Sequence, residues 1–297
     1  MRITKILITV IVFMLSTSCE QNDKELDLTA QNGFGLVIND SIVYYSDEIE
    51  FYDFSSHLIY LKDWVNFFSS NYGTFAVFVD NIEIYSGQLH PLYSSYMPMG
   101  PVINCAPSVF GNYIIPIGFN QFIDSVGNSI EDPRNDSRII ENLKKQNKYK
   151  EGLSCEILTV KKIASNSIEI DIKLTNNGPE NLLYLDPDKM GLGLFHYFTN
   201  GLLLRNLSKK TFTHQLSVIS PEPWDTWDNH WLSVINGNED KFITITYDNF
   251  DILTVGEFEA IFNFPGLSYQ VEKEDLQQCN GRIWLGTLHI NKNIQIQ

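Results

Sequence analysis

Basic residues are scarce in this sequence: 21 Lys and Arg stand against 36 Asp and Glu, for a net charge of −15. A nucleic-acid partner needs a basic footprint, so that class is excluded, and the acidity also removes any electrostatic hold on anionic lipid. The spacings that mark common catalysts are missing as well. There is no G-x-S-x-G elbow, no H-E-x-x-H, no C-x-x-C and no phosphate loop. Cysteine occurs only four times. Cys105, Cys155 and Cys279 follow Cys19, and an odd set of three cannot all pair within the chain. At least one is expected as a buried thiol that packs like a small hydrophobe. What is present suffices for folding: 43% hydrophobic and 13% aromatic residues exclude global disorder.

Arg2 and Lys5 begin the chain, Ile6–Leu15 is almost unbroken apolar sequence, and Ser16, Thr17 and Ser18 lead into Cys19. A basic start, a short apolar run and small residues describe a secretory signal over residues 1–18. The run falls short of the roughly 20 residues that a membrane-spanning helix needs. With Cys19 directly after the small residues, Leu15-Ser-Thr-Ser-Cys19 resembles the lipobox of bacterial lipoproteins, departing from it at Ser16, where Leu is commoner. The resemblance implies several acyl chains on Cys19, and two or more chains hold a protein stably at a membrane. Glu20–Asp27 is short and acidic, which reads as a solvated tether over 19–32. It also resembles the surface-export signal of Bacteroidetes lipoproteins, implying the cell outer membrane. Asp40-Ser41-Ile42 and Asp124-Ser125-Val126 resemble the O-glycosylation signal of exported proteins in that group, which would modify Ser41 and Ser125.

The mature length suits two domains. In a β-rich first domain, residues 33–134, β-formers fill Asp40–Asp53 and His57–Leu61, and Lys62–Ser70 has the spacing of a short helix. Phe75–Val79 and Ile82–Tyr85 flank Asp80-Asn81 as a hairpin. From Gly87 to Gly118 five prolines interrupt the pattern, and that stretch reads as packed coil over a sheet edge or as a binding groove. A linker helix is expected over 135–152: Asp136 caps it, Ile139, Ile140 and Leu143 form its apolar stripe, four lysines gather at its far end and Gly152 stops it.

The second domain, residues 153–297, reads as an antiparallel β-sandwich. Ile168, Ile170, Ile172 and Leu174 alternate with Glu169, Asp171 and Lys173, which means one buried and one wet face. Asp240–Tyr247 and Glu257–Phe264 alternate too, Leu194–Leu204 is mostly apolar, and Ile283–Ile290 is expected to close the sheet. The run Ser167–Gly178 with Gly256–Phe262 resembles the immunoglobulin-like modules of bacterial envelope proteins, a likeness of fold that assigns no functional residue.

Two stretches carry candidate chemistry. Asp186-Pro-Asp188-Lys-Met-Gly191 begins like a calcium loop, but Met190 and Tyr197 stand where a hard cation needs oxygen, so a capped turn is expected and no metal. Trp224, Trp227, Asp228, His230 and Trp231 form the unusual run. The indoles with Asp225, Asp228 and His230 suit a sugar site, and they equally suit a plug at the sandwich end with the indole N–H groups bonded to backbone.

The sequence therefore predicts a mainly β, lipid-anchored envelope protein without cofactor. Its expected role is a non-catalytic binding or structural module for a glycan or an envelope protein. Two alternatives stand beside it: a hydrolase whose site is assembled from distant residues, and an accessory subunit of an envelope complex.

Overall fold

The computed structural model describes residues 32–64, 72–106, 110–120, 131–199, 201–215, 228–251, 253–267 and 270–296. The expected leader with Cys19, most of Lys62–Ser70, Ser125, Trp224 and Trp227 lie outside them. The described part is mainly β, as the alternating runs of β-formers lead one to expect. Residues 32–297 form one compact unit.

Nine strands build the first half: β1 (Phe34–Ile38), β2 (Ile42–Tyr45), β3 (Ile49–Asp53), β4 (Leu58–Leu61), β5 (Gly73–Val79), β6 (Ile82–Pro91), β7 (Gly100–Ala106), β8 (Ile114–Asn120) and β9 (Tyr149–Lys150). They make one sheet in the order β2-β1-β5-β6-β7-β8-β4-β3-β9. Asp80 and Asn81 take φ of 50° and 65°, the pair of positive angles that a two-residue hairpin turn requires and that these residue types tolerate. Val79 therefore stands opposite Ile82, as expected. At the β2 edge, the Tyr45 N–H donates to Glu48 Oε2 at 2.9 Å. A side chain thus covers a donor that would otherwise invite another strand.

The proline-rich stretch holds strands where coil was expected. β6 runs on to Pro91, β7 pairs with it in parallel, and β8 returns antiparallel. Pro91 and Pro101 sit near strand ends, where a missing N–H costs little of the ladder, and Pro116 lies inside β8 opposite Leu58. Proline density marked breaks in the sequence that the sheet absorbs.

Helix α1 (Ser137–Lys145) is capped by Asp136, whose side chain accepts from the Arg138 N–H at 2.9 Å. It ends well before Gly152, because Asn147 turns left-handed (φ 59°) and the chain enters β9 beside β3. Of the four expected terminal lysines, Lys144 and Lys145 lie in the last turn, while Lys148 and Lys150 follow the helix. Ile139 and Leu143 are fully buried against the first sheet, with Leu36, Val77 and Ile115 in the same cluster.

The second half contributes β10 (Leu153–Ala164), β11 (Ser167–Asn176), β12 (Leu182–Leu185), β13 (Leu202–Asn206), β14 (Thr211–Thr213), β15 (Leu232–Ile235), β16 (Asp240–Tyr247), β17 (Gly256–Phe264), β18 (Gln277–Gln278), β19 (Gly281–Ile283) and β20 (Leu288–Ile296). They fall into three sheets, β10-β11-β16, β15-β12-β19-β18 and β14-β13-β17-β20, around one core. All pairs are antiparallel except β12 with β19. The apolar run Leu194–Leu204 is divided between a helix (Leu192–Thr199) and β13. The expected closing strand is in fact two: β19 ends at Ile283, and β20 continues six residues beyond Ile290.

The two cores meet through β3 and β4. Every side chain of Leu58-Ile-Tyr-Leu61 is buried, with Ile59 and Leu61 in the first core and Leu58 and Tyr60 in the second. Phe51 and Tyr60 stack at 4.1 Å between centroids on that second face. Each such aromatic side chain adds roughly 1.5–3 kcal/mol by its burial. Cys105 is buried, Cys155 half-buried and Cys279 exposed, and none of the three is in a disulfide.

Candidate functional site

Of the residues singled out by sequence, Ser41, Asp228 and His230 are exposed, Trp231 is half-buried, and Cys19, Ser125, Trp224 and Trp227 lie outside the described residues. Asp228 caps a short 3-10 turn (Asn229–Trp231), its Oδ1 accepting the His230 N–H at 2.9 Å. Asp228 and His230 are exposed, whereas Trp231 packs half-buried against the second core and its carbonyl accepts the Asp186 N–H at 2.9 Å. Asp186 is itself a cap: Oδ1 accepts from the Asp188 N–H at 3.0 Å and Oδ2 from Ser233 Oγ at 2.5 Å. The capped turn expected there is what forms. Among the described residues no three His, Cys, Asp or Glu side chains converge as metal ligands. Ser41 is exposed in the tight turn between β1 and β2, its N–H donating to the Ile38 carbonyl at 3.2 Å.

An open groove lies elsewhere, on the solvent side of the β13-β17-β20 sheet. β17 and β20 alternate strictly: Phe258, Ala260, Phe262 and Phe264 turn inward, so Glu257, Glu259, Ile261 and Asn263 turn outward. Across the ladder Glu257 faces Gln295, Glu259 faces Asn293 and Asn263 faces His289. On the other side Arg205 of β13 faces Glu259, and their Nη1 and Oε2 are 3.3 Å apart. The turn after β13 is held by Asn206, whose Oδ1 accepts the Lys210 N–H at 2.9 Å, and it leaves Leu207 81% exposed at the rim. Arg205, Asn206, Leu207, Lys209, Glu257, Glu259, Asn293 and Gln295, with Phe258 and Ile294 at their base, line a groove of about 720 Å³.

Guanidinium, ammonium, two carboxylates and three amides therefore share one surface. Arg205 and Lys209 balance Glu257 and Glu259 in formal charge, so the groove favours neither an anion nor a cation. Its capacity is for many donor–acceptor contacts at once, the pattern that hydroxyl-rich neutral molecules satisfy. Glu257 is exposed and Glu259 is tied to Arg205.

Sequence reasoning noted the alternation of Glu257–Phe264 but missed the groove, because β20 was expected to end at Ile290. The signal was there in Asn291, Asn293 and Gln295, which alternate with Lys292, Ile294 and Ile296.

Two buried polar clusters were also invisible to motif inspection. Tyr52 and His57 bond through Oη and Nδ1 at 2.9 Å, and His57 holds a left-handed φ of 54°. Burial, then the Arg134 charge, pushes the His57 pKa down to about 3. Arg134 grips Asp132 with Nε and Nη2, the closest contact being 2.6 Å. Further along, His196 and His214 pack edge-to-face at 5.0 Å between centroids. Burial, then the neighbouring His214, lowers the His196 pKa to about 4. The left-handed Gly201 (φ 58°) approaches His196 so closely that a Cβ on it would lie 1.9 Å from Nδ1, so only glycine fits at that position.

No protein-family model and no curated protein matches this chain.

Proposed function

We propose that this protein is an envelope lipoprotein, acylated on Cys19, that binds a neutral glycan in the groove of the β13-β17-β20 sheet and does no chemistry on it. The observation that carries the ligand class is the charge-balanced set Arg205, Lys209, Glu257 and Glu259 interleaved with Asn206, Asn293 and Gln295. The leader and the acidic run after Cys19 support the outer membrane as its place, and an immunoglobulin-like module is the fold-level reading that accompanies them. Asp228 and His230, both exposed, are a second candidate for the same class of ligand, and Trp224 and Trp227 precede them in the sequence.

A glycan array of neutral polysaccharides with wild type, Asn293→Ala and Trp227→Ala separates the two surfaces. Binding lost in Asn293→Ala alone assigns the groove, and binding lost in Trp227→Ala alone assigns the indole run. No retention of any glycan by wild type overturns the reading. Mass spectrometry of the cell-derived protein tests the anchor independently, since an unmodified amino end would contradict acylation.

A further inference from the structure

From Ile84 to Ile123 the chain carries no Asp, Glu, Lys or Arg, although the whole molecule has a net charge of −15. Within that stretch the crossover between β6 and β7 brings large apolar side chains to the surface. Leu92, Tyr93, Tyr96, Met97 and Met99 are each between 46% and 70% exposed there. Five large apolar side chains within eight residues form a patch that a monomeric surface rarely carries without use.

The loop is built rather than loose. Pro91 and Pro98 are buried at its two ends, and Asn120 Nδ2 donates to the Pro98 carbonyl at 2.7 Å. The Ser94 N–H donates to the Pro91 carbonyl at 3.0 Å, and the Tyr96 ring lies 6.4 Å from that of His90. A preformed apolar surface binds without a large ordering cost.

We infer that this loop is a docking surface for a second copy of the same chain, in a two-fold contact of loop on loop. Two molecules of like net charge repel over most orientations, and a loop within a stretch that carries no charge of its own adds nothing to that repulsion. The loop is also complementary to itself: each copy offers thioethers (Met97, Met99) and rings (Tyr93, Tyr96), and sulfur–aromatic contacts are favourable. A lipid surface fits less well, because membrane-inserting segments carry Lys or Arg beside their apolar residues and this stretch has none. Taking roughly 100 Å² for each exposed side chain, the contact buries on the order of 1,000 Å² in total, the lower edge of specific interfaces. The dimer is therefore weak and concentration-dependent.

The test is sedimentation of the full chain in a density-matched non-ionic detergent, with Met97→Glu as the variant. In parallel, Ser95→Cys in a Cys279→Ser background is oxidised to trap loop-to-loop contact. The inference expects a monomer–dimer equilibrium in the micromolar range, weakened at least about tenfold by Met97→Glu, with a disulfide-linked dimer from Ser95→Cys. Monomer at every concentration overturns it, and so does a dimer that Met97→Glu leaves intact and Ser95→Cys fails to link. Flotation on phosphatidylcholine vesicles, done in a Cys19→Ser background that carries no acyl chain, is the third readout. If Cys19→Ser floats, Cys19→Ser with Met97→Glu does not, and neither dimerises, the loop is a membrane contact and the inference falls.

Discussion

Asp53, the last residue of β3, meets Arg282 of β19 across 229 residues of chain, with both guanidinium Nη atoms 3.4–3.5 Å from Asp53 Oδ2. Both side chains are buried, and Glu180 adds a second carboxylate 3.5 Å from Arg282 Nη2. The guanidinium also lies over the Phe51 ring at 4.8 Å and the Tyr60 ring at 5.8 Å, so it is packed as well as paired. Asp53 Oδ1 accepts from Ser55 Oγ at 2.6 Å, and that hydroxyl in turn accepts from Trp284 Nε1 at 3.3 Å. One acid at the end of an early strand thus fastens the last third of the chain onto the first sheet.

Removing one partner of such a pair leaves an uncompensated buried charge. Arg282→Met, which strands the Asp53 carboxylate, is expected to destabilise by about 3–5 kcal/mol in urea unfolding, and Asp53→Leu by less, because Glu180 stays beside the guanidinium. The double variant, which buries no charge, should lose less than the sum. Fully additive losses would show that the two residues do not interact.

Gly152 closes the same corner from the other side. Its φ is +66°, and a Cβ there would stand 2.2 Å from Ser55 Oγ and 2.5 Å from Asp53 Oδ1. Gly152→Ala meets both a backbone penalty and a collision with the group that holds Arg282. A melting temperature within a degree or two of wild type would contradict the close approach.

Much of this architecture was legible because local and global demands agree. The Asp80-Asn81 turn, the alternation of Ile168–Leu174 and the Asp136 cap are each short-range signals, and each element forms where its residues indicate. What stayed hidden depends on long-range pairing. β7 and β8 carry prolines that read locally as breaks, and only their neighbours in the sheet make them strands. The groove needs Arg205, Glu259 and Asn293 from three separate strands, which no spacing within one stretch announces. The Asp53–Arg282 pair is the extreme case, since neither residue stands in a motif.

The Arg205–Glu259 pair has a different character from the buried one. Both side chains are more than a third open to solvent, at 39% and 34%, and exposed pairs of this kind contribute about 0–1 kcal/mol. Arg205→Ala should therefore leave urea stability within about 1 kcal/mol of wild type while weakening glycan retention in the groove about tenfold. A variant as strong as wild type on the array would take Arg205 out of the site.

Acid should loosen the fold before its carboxylates titrate. His57 and His196 are both buried, and their pKa values lie near 3 and 4 against an ordinary 6.5. Below pH 6.5 the unfolded chain takes up protons that the folded chain refuses, so stability is complete above that pH and declines as it falls toward 4. Each imidazole contributes up to about 1.4 kcal/mol per pH unit, or roughly 3 kcal/mol per unit for the two together. Urea unfolding at pH 7, 6 and 5 measures that slope. His57→Asn keeps a residue that accepts the left-handed φ and removes one of the two protons, so its slope should be about half. An unchanged slope would mean that His57 is protonated in the folded protein, and the neutral Tyr52–His57 bond would have to be reassigned.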